Sequence, residues 1–376
     1  MSEAVISDRI LNLDKTDYEK PSLFMGERLG LLDSLNVHYP QLYKLYKDMK
    51  AKDWDELEFK FGSSTLNSEF KTCPKNNYDI MIRTLAWQWE ADSVAAKSIL
   101  AIIAPFATNS ELFYGWQRIA DSESTHALTY SEIVKNSFDN PEEVLKDILK
   151  IKEAFSRLEI VGEIFNNALI TGSKLNLGLV ERNQDTYNDV FMFVVALYCL
   201  EAIQFMSSFG ITFAMGNAQE FIPIAMAVQK IANDEYYVHR PWDRAVLDIE
   251  LGNEYGLTAF NKNRTKILNL INSVVRSEMS WNDYTFSEGR EHPGLNKDVL
   301  NKGVLFYAKE VYEFFGFTKE EIPFELPNKN PLLYMNDWLE IDKMQTSPME
   351  QKSGNYVLGM IAKDSSENEV LDIELD

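Results

Sequence analysis

From Val190 to Met215 the chain carries one charged residue. Eleven apolar side chains, Val190 to Leu200, lead into Glu201, and Ala202-Ile203-Gln204-Phe205-Met206-Ser207-Ser208-Phe209 follow. A helix that is apolar on every side has to be buried. Glu201 is therefore taken out of water, where an unpaired carboxylate costs several kcal/mol, so it must be neutral, paired or bound to a metal. The ordinary partner is Arg or Lys. The fold must surround this helix with other elements and also supply whatever compensates Glu201.

The surroundings read as helix as well. Apolar residues recur at three- and four-residue spacing with few internal Pro or Gly, predicting helices over 78–105, 110–137, 142–172, 185–214, 218–245, 257–286 and 296–316. Sustained strand alternation and internal repeats are absent from the pattern. Residues 1–60 read as an N-terminal wrap with one helix near Gln41–Lys52. Residues 61–340 read as the helical domain, and 341–376 as a flexible acidic tail in which apolar and acidic residues alternate from Val370 to Asp376. The predicted class is all-α.

Three further segments place ligand-type side chains on helices. Ser122-Glu123-Ser124-Thr125-His126 sets Glu and His three apart, and Tyr130 falls within about 20° of Glu123 on the same face. Asn233-Asp234-Glu235-Tyr236-Tyr237-Val238-His239 repeats the acid–histidine pairing at a spacing of four, and Trp89-Glu90-Ala91-Asp92 offers two more carboxylates. Four helices thus each bring a carboxylate and two add an imidazole, the inventory of a carboxylate-bridged dinuclear site in a ferritin-like bundle. Such ligands suit iron or manganese. The competing explanation is a set of unrelated buried ion pairs.

Taken together, these segments resemble the radical-generating small (beta) subunit of class I ribonucleotide reductase. The likeness runs from about Trp54 to the tail through Ala91-Asp92-Ser93, Ser122-Glu123-x-x-His126-x-x-x-Tyr130, Leu200-Glu201-Ala202-Ile203-Gln204-Phe205 and Ile231-Ala232-Asn233-Asp234-Glu235. It continues in Trp281–Gly289, Gly294–Asp298 and Asn336-Asp337-Trp338-Leu339. The resemblance implies one metal held by Asp92, Glu123 and His126, and a second by Glu201, Glu235 and His239, with Glu123 and Glu235 bridging. It implies a stable radical on Tyr130 in an apolar pocket of Phe205, Phe209 and Ile231. It further implies a relay past Trp54 and Asp234 that leaves through Tyr356. The large subunit, docked by Leu371–Asp376, would reduce the ribonucleotide, and the chain would form a homodimer. The family's last motif is Glu-x-x-His, whereas His239 stands one position late. A one-residue π-bulge would absorb the extra residue.

Composition excludes some partners. Against 37 basic residues stand 58 acidic ones, a formal charge of −21, which argues against nucleic acid and anionic membrane surfaces. Two cysteines, Cys73 and Cys199, make neither a disulfide framework nor a thiolate metal site. No export signal and no membrane-length apolar run is read, so a cytoplasmic setting is expected. Iron is the expected metal, with manganese or a mixed pair sharing the same ligands. The alternatives are another diiron carboxylate oxidase or hydroxylase, and a ferritin-like metal-storage protein.

Overall fold

Asparagine opens four of the long helices in the computed structural model, which describes residues 16–340. The side-chain oxygens of Asn109, Asn183, Asn253 and Asn296 accept the backbone N–H of Leu112, Thr186, Gly256 and Val299, satisfying amides that a helix start leaves unpaired. In chain order the helices are α1 (Pro40–Ala51), α2 (Leu66–Thr72), α3 (Lys75–Ile103), α4 (Ser110–Ser137), α5 (Pro141–Ile148), α6 (Lys152–Leu177) and α7 (Gln184–Asn217). Next comes α8, built from Ile222–Asp234, a π turn at Glu235–His239, and Arg240–Leu251. α9 (Glu254–Thr285), α10 (Lys297–Phe314) and α11 (Tyr334–Leu339) complete the series. Among the described residues there is no strand, only an isolated bridge between His292 and Leu295.

Two of the predicted helices need correction. The segment read as one helix over 142–172 is two, because backbone bonds tighten from the Leu149–Leu145 spacing to the Lys150–Asp147 and Ile151–Ile148 spacing. No Pro or Gly marks the break, and burial of Ile148 anchors the corner. The helix read from 218 begins at Ile222, since Gln219 and Phe221 take left-handed conformations.

α3, α4, α7 and α8 form a four-helix core, with α6 and α9 packed against α7 and each other. The first half of α7 lies on the second half of α8 and the reverse, so the two run antiparallel. α7 is long and apolar enough to cross a membrane, yet 94% of its most apolar window is buried inside the fold, which makes it the core helix. α8 approaches α4 closely: a Cβ at Gly115 would overlap the Trp242 ring, so glycine is what lets the indole seat there. A buried ion pair ties α6 to α9, with Arg157 donating through Nε and Nη2 to both oxygens of Glu278 at 2.8 and 2.6 Å. The N-terminal segment is stitched on by Arg182, whose guanidinium donates to the carbonyls of Phe24, Pro105 and Phe106.

Candidate metal centre

Asp92 projects from α3, Glu123 and His126 from α4, Glu201 from α7, and Glu235 and His239 from α8; all six are buried. Glu201 lies in a π turn, Leu200–Gln204, and the second π turn, Glu235–His239, packs against it. That second turn brings His239 onto the face of Glu235 despite the four-residue spacing, because i→i+5 bonding accommodates one extra residue. Pro241 lies just beyond it; proline supplies no N–H and crowds the carbonyl four residues back, a standard cause of helix distortion. His239 Nδ1 lies 2.9 Å from Glu235 Oε2 and 3.0 Å from Glu123 Oε1. His126 Nδ1 lies 3.1 Å from Glu235 Oε1, 3.5 Å from Glu123 Oε2 and 3.9 Å from Asp92 Oδ2. Glu123 and Glu235 therefore stand between the two imidazoles.

Two ligand sets overlap here. Asp92, Glu123 and His126 offer atoms within 4.8 Å of one another, and so do Glu123, Glu201, Glu235 and His239. Both oxygens of Asp92, Glu123 and Glu201 lack a hydrogen-bond partner, as does Glu235 Oε1. Among the described residues, the ion pairs to Asp92, Glu123 and Glu235 come from His126 and His239. Four dry carboxylates with so little compensation fit two divalent cations, whose charge would balance theirs.

Without cations, burial and then the Glu123 charge push Asp92 well up, and burial with Glu235 does the same for Glu201. For Glu235, burial is outweighed by His239 and His126, which hold the carboxyl well below its usual range. Burial alone would lower His239, but Glu235 and Glu123 raise it to about 10. A histidine raised in the folded state stabilises the fold fully below its unfolded value, near pH 6.5, and loses that contribution as pH climbs through the folded one. The metal-free chain is thus expected to lose stability between about pH 6.5 and 10, with urea midpoints falling across that window. Cation uptake must displace the His239 proton, so affinity should rise with pH over the same range. A flat profile in both measurements would contradict this charge arrangement.

Tyr130 is fully buried, and its hydroxyl has no partner. Burial, then Asp92, Glu235 and Glu123, raise the phenol well above its ordinary value. Phe205, Phe209 and Ile231 are fully buried as well; Phe205 stacks on Phe209 with centroids 5.6 Å apart and leans on Trp87 at 6.3 Å.

The structure also brings Trp54 to this centre. Its indole Nε1 donates to Asp234 Oδ2 at 2.6 Å, and the same oxygen lies 3.1 Å from His126 Nε2. The Trp54 and His126 rings stack with centroids 5.7 Å apart. Asp55 holds the following 3₁₀ turn through a capping box with Glu58, and Lys230 lies over the indole at 5.4 Å. Tyr356 and the whole tail 341–376 lie outside the described residues. Sequence reading missed the Arg157–Glu278 pair and Ser122, whose Oγ lies 3.3 Å from His126 Nε2. For Ser122 the available signal was its place four residues before a ligand-type histidine.

A helical bundle with overlapping buried carboxylate–histidine sets contributed by its four central helices defines a dinuclear metal-carboxylate protein of the ferritin-like type. Comparison with known proteins narrows the class. The profile of "Ribonucleotide reductase, small chain" matches residues 32–325, and the chain belongs to this family. It is 25% identical over 392 residues to the ribonucleoside-diphosphate reductase subunit beta of Buchnera aphidicola from Acyrthosiphon pisum, covering 98% of this chain and all of that one. It is 23% identical over 387 residues to subunit beta of reductase 1 from Escherichia coli O157:H7, covering 96% and 98%. Among solved structures, the R2 subunit from Clostridium botulinum superposes with a TM-score of 0.72 at 17% identity over 87% of this chain and 96% of that one. The dimanganese(II) NrdF of Streptococcus sanguinis gives 0.62 at 12% identity over 81% and 99%. The chain is thus an oxidoreductase subunit, the small chain of a ribonucleotide reductase, and works with a large subunit.

Proposed function

We propose that Asp92, Glu123 and His126 hold one iron ion and Glu201, Glu235 and His239 a second, with Glu123 and Glu235 shared, and that Tyr130 carries the stored radical. The observation that carries this reading is a cluster of four buried carboxylates compensated, among the described residues, by little more than two imidazoles. Manganese or a mixed pair would find the same donors. When bound, the ions and oxygen supply an oxidant able to take an electron from a phenol. Tyr130 is fully buried away from bulk solvent, so its proton passes to a neighbouring group, and Asp92 is the charge that acts on it most strongly. Phe205, Phe209 and Ile231 exclude solvent and reductants from the oxidised ring.

From there the oxidising equivalent travels past His126 and Asp234 to Trp54. The Trp54–Asp234 hydrogen bond gives the indole a base for its proton as it yields an electron. Tyr356 takes the equivalent onward to the large subunit, in a homodimer within the reducing cytoplasm. The test of the centre is electron paramagnetic resonance after Fe(II) and oxygen are added to the metal-free chain. A stable tyrosyl signal with about two irons per chain is expected, the count set by the two ligand sets. Iron uptake without an organic radical would mean storage or substrate oxidation instead. Docking is tested separately: removing 370–376 should weaken binding to the large subunit while leaving radical yield intact. Unchanged affinity would rule out the tail as the docking peptide.

A further inference from the structure

Glu201 reaches the centre from a turn that needs support. π turns are rare and occur as single turns inside α-helices. Relaxing Leu200–Gln204 to α geometry would shift one half of α7 against the other by a residue, about 100° of rotation and 1.5 Å of rise. The downstream half is pinned, since Tyr334 donates to the Gly210 carbonyl at 2.8 Å and Phe213 stacks on Trp338 with centroids 5.0 Å apart. Such a rotation would fall on Glu201.

One side chain grips the turn from outside the centre. Arg157 Nη2 donates to the Gln204 carbonyl at 2.8 Å, and Gln204 Nε2 returns a bond to the Arg157 carbonyl at 2.9 Å. Nη1 reaches Ser208 Oγ at 3.4 Å, one turn further along α7. The guanidinium is itself fixed: Glu278 engages it through both oxygens, and Trp87 and Trp281 lie over it at 3.7 and 4.6 Å. Burying an ion pair is costly and often adds no stability over apolar packing. This one instead supplies a rigid, forked donor to the main chain at the last residue of the turn.

We propose that Arg157 is a positioning residue whose grip on the Gln204 main chain keeps residues 200–204 in the π form and thereby sets the Glu201 carboxylate in the metal centre. The inference rests on reading Glu201 as a ligand. The experiment titrates the metal-free, full-length chain with Mn(II) and follows resonance spectra. The unaltered chain should take up two ions with a spin-coupled signal; if it does not, the ligand reading fails, whatever Arg157 does. Arg157→Lys keeps the charge opposite Glu278 but loses the fork. It should hold the first ion, bind the second at least tenfold more weakly, and show an isolated six-line signal. A double variant, Arg157→Met with Glu278→Met, removes donor and charge together and should behave likewise. Leu112→Ala opens a core cavity three turns along α4 from Glu123 and serves as a control for lost stability; it should keep the coupled pair. An unchanged coupled pair in Arg157→Lys overturns the proposal. So does an equal loss of the second ion in Leu112→Ala at matched melting temperature. If the double variant fails to fold, Arg157→Lys decides alone.

Discussion

Tyr130→Phe should bind two metal ions, fold at least as well as the unaltered chain, and give no tyrosyl resonance and no turnover above background with the large subunit. The unusual half of this expectation is stability. The Tyr130 hydroxyl is buried without a hydrogen-bond partner, so the metal-free fold bears its desolvation cost. Removing a buried, unsatisfied polar group relieves a penalty of about 1–3 kcal/mol, so the denaturation midpoint should stay level or rise. A variant that is stable, metal-loaded and silent separates the phenol's chemistry from any structural role. A tyrosyl signal that survives would move the radical to another residue; Tyr198 and Tyr187 are also deeply buried.

The second large effect is expected from Asp234→Asn. A single oxygen, Oδ2, accepts from Trp54 Nε1 and faces His126 Nε2, so an amide oxygen in the same place can keep both contacts. What the substitution removes is charge and basicity. A positioned proton acceptor contributes about 10²–10⁴-fold to a rate, and turnover should fall within that range. The radical should still form, since the Asp234 side chain bonds to Trp54, Ser122 and His126 and not to Tyr130 or the four carboxylates. Full turnover would take Asp234 out of the relay. A parallel fall in radical yield would assign it instead to orienting His126, as partners of ligating histidines commonly do.

Much of this architecture was legible in the residues. Long apolar periodicities place the helices, and a carboxylate inside the most apolar one announces a compensated centre. The spacing Glu123–His126 puts both on one face by helical geometry alone. The π turn at Glu235–His239 was readable from the late histidine, and Pro241 marks the same place. The turn at Leu200–Gln204 was not, because nothing in an unbroken apolar run distinguishes a widened turn from a regular one. Its cause lies at Arg157, some 47 positions away. Trp54 was equally hard to place: it sits between a helix and a short capped turn, where periodicity is silent and tertiary contacts with Asp234 fix the position. The corner at Leu149–Ile151 lacked any breaker residue, so a continuous pattern was read through it.

The burial of α7 has a consequence for how the chain is made. Synthesis proceeds from the N-terminus, so α7 emerges before α8 and α9, which cover two of its sides. Sixty-eight residues separate Asn217 from Thr285, roughly 3–14 s of translation at ordinary speeds. For that interval the ribosome presents a segment with the hydropathy of a membrane anchor. A charged residue at the centre of such a segment opposes insertion by about 2.5–3.5 kcal/mol. Glu201 therefore has a physical effect before any metal arrives: it makes the nascent helix a poorer membrane span than its apolar neighbours alone would be.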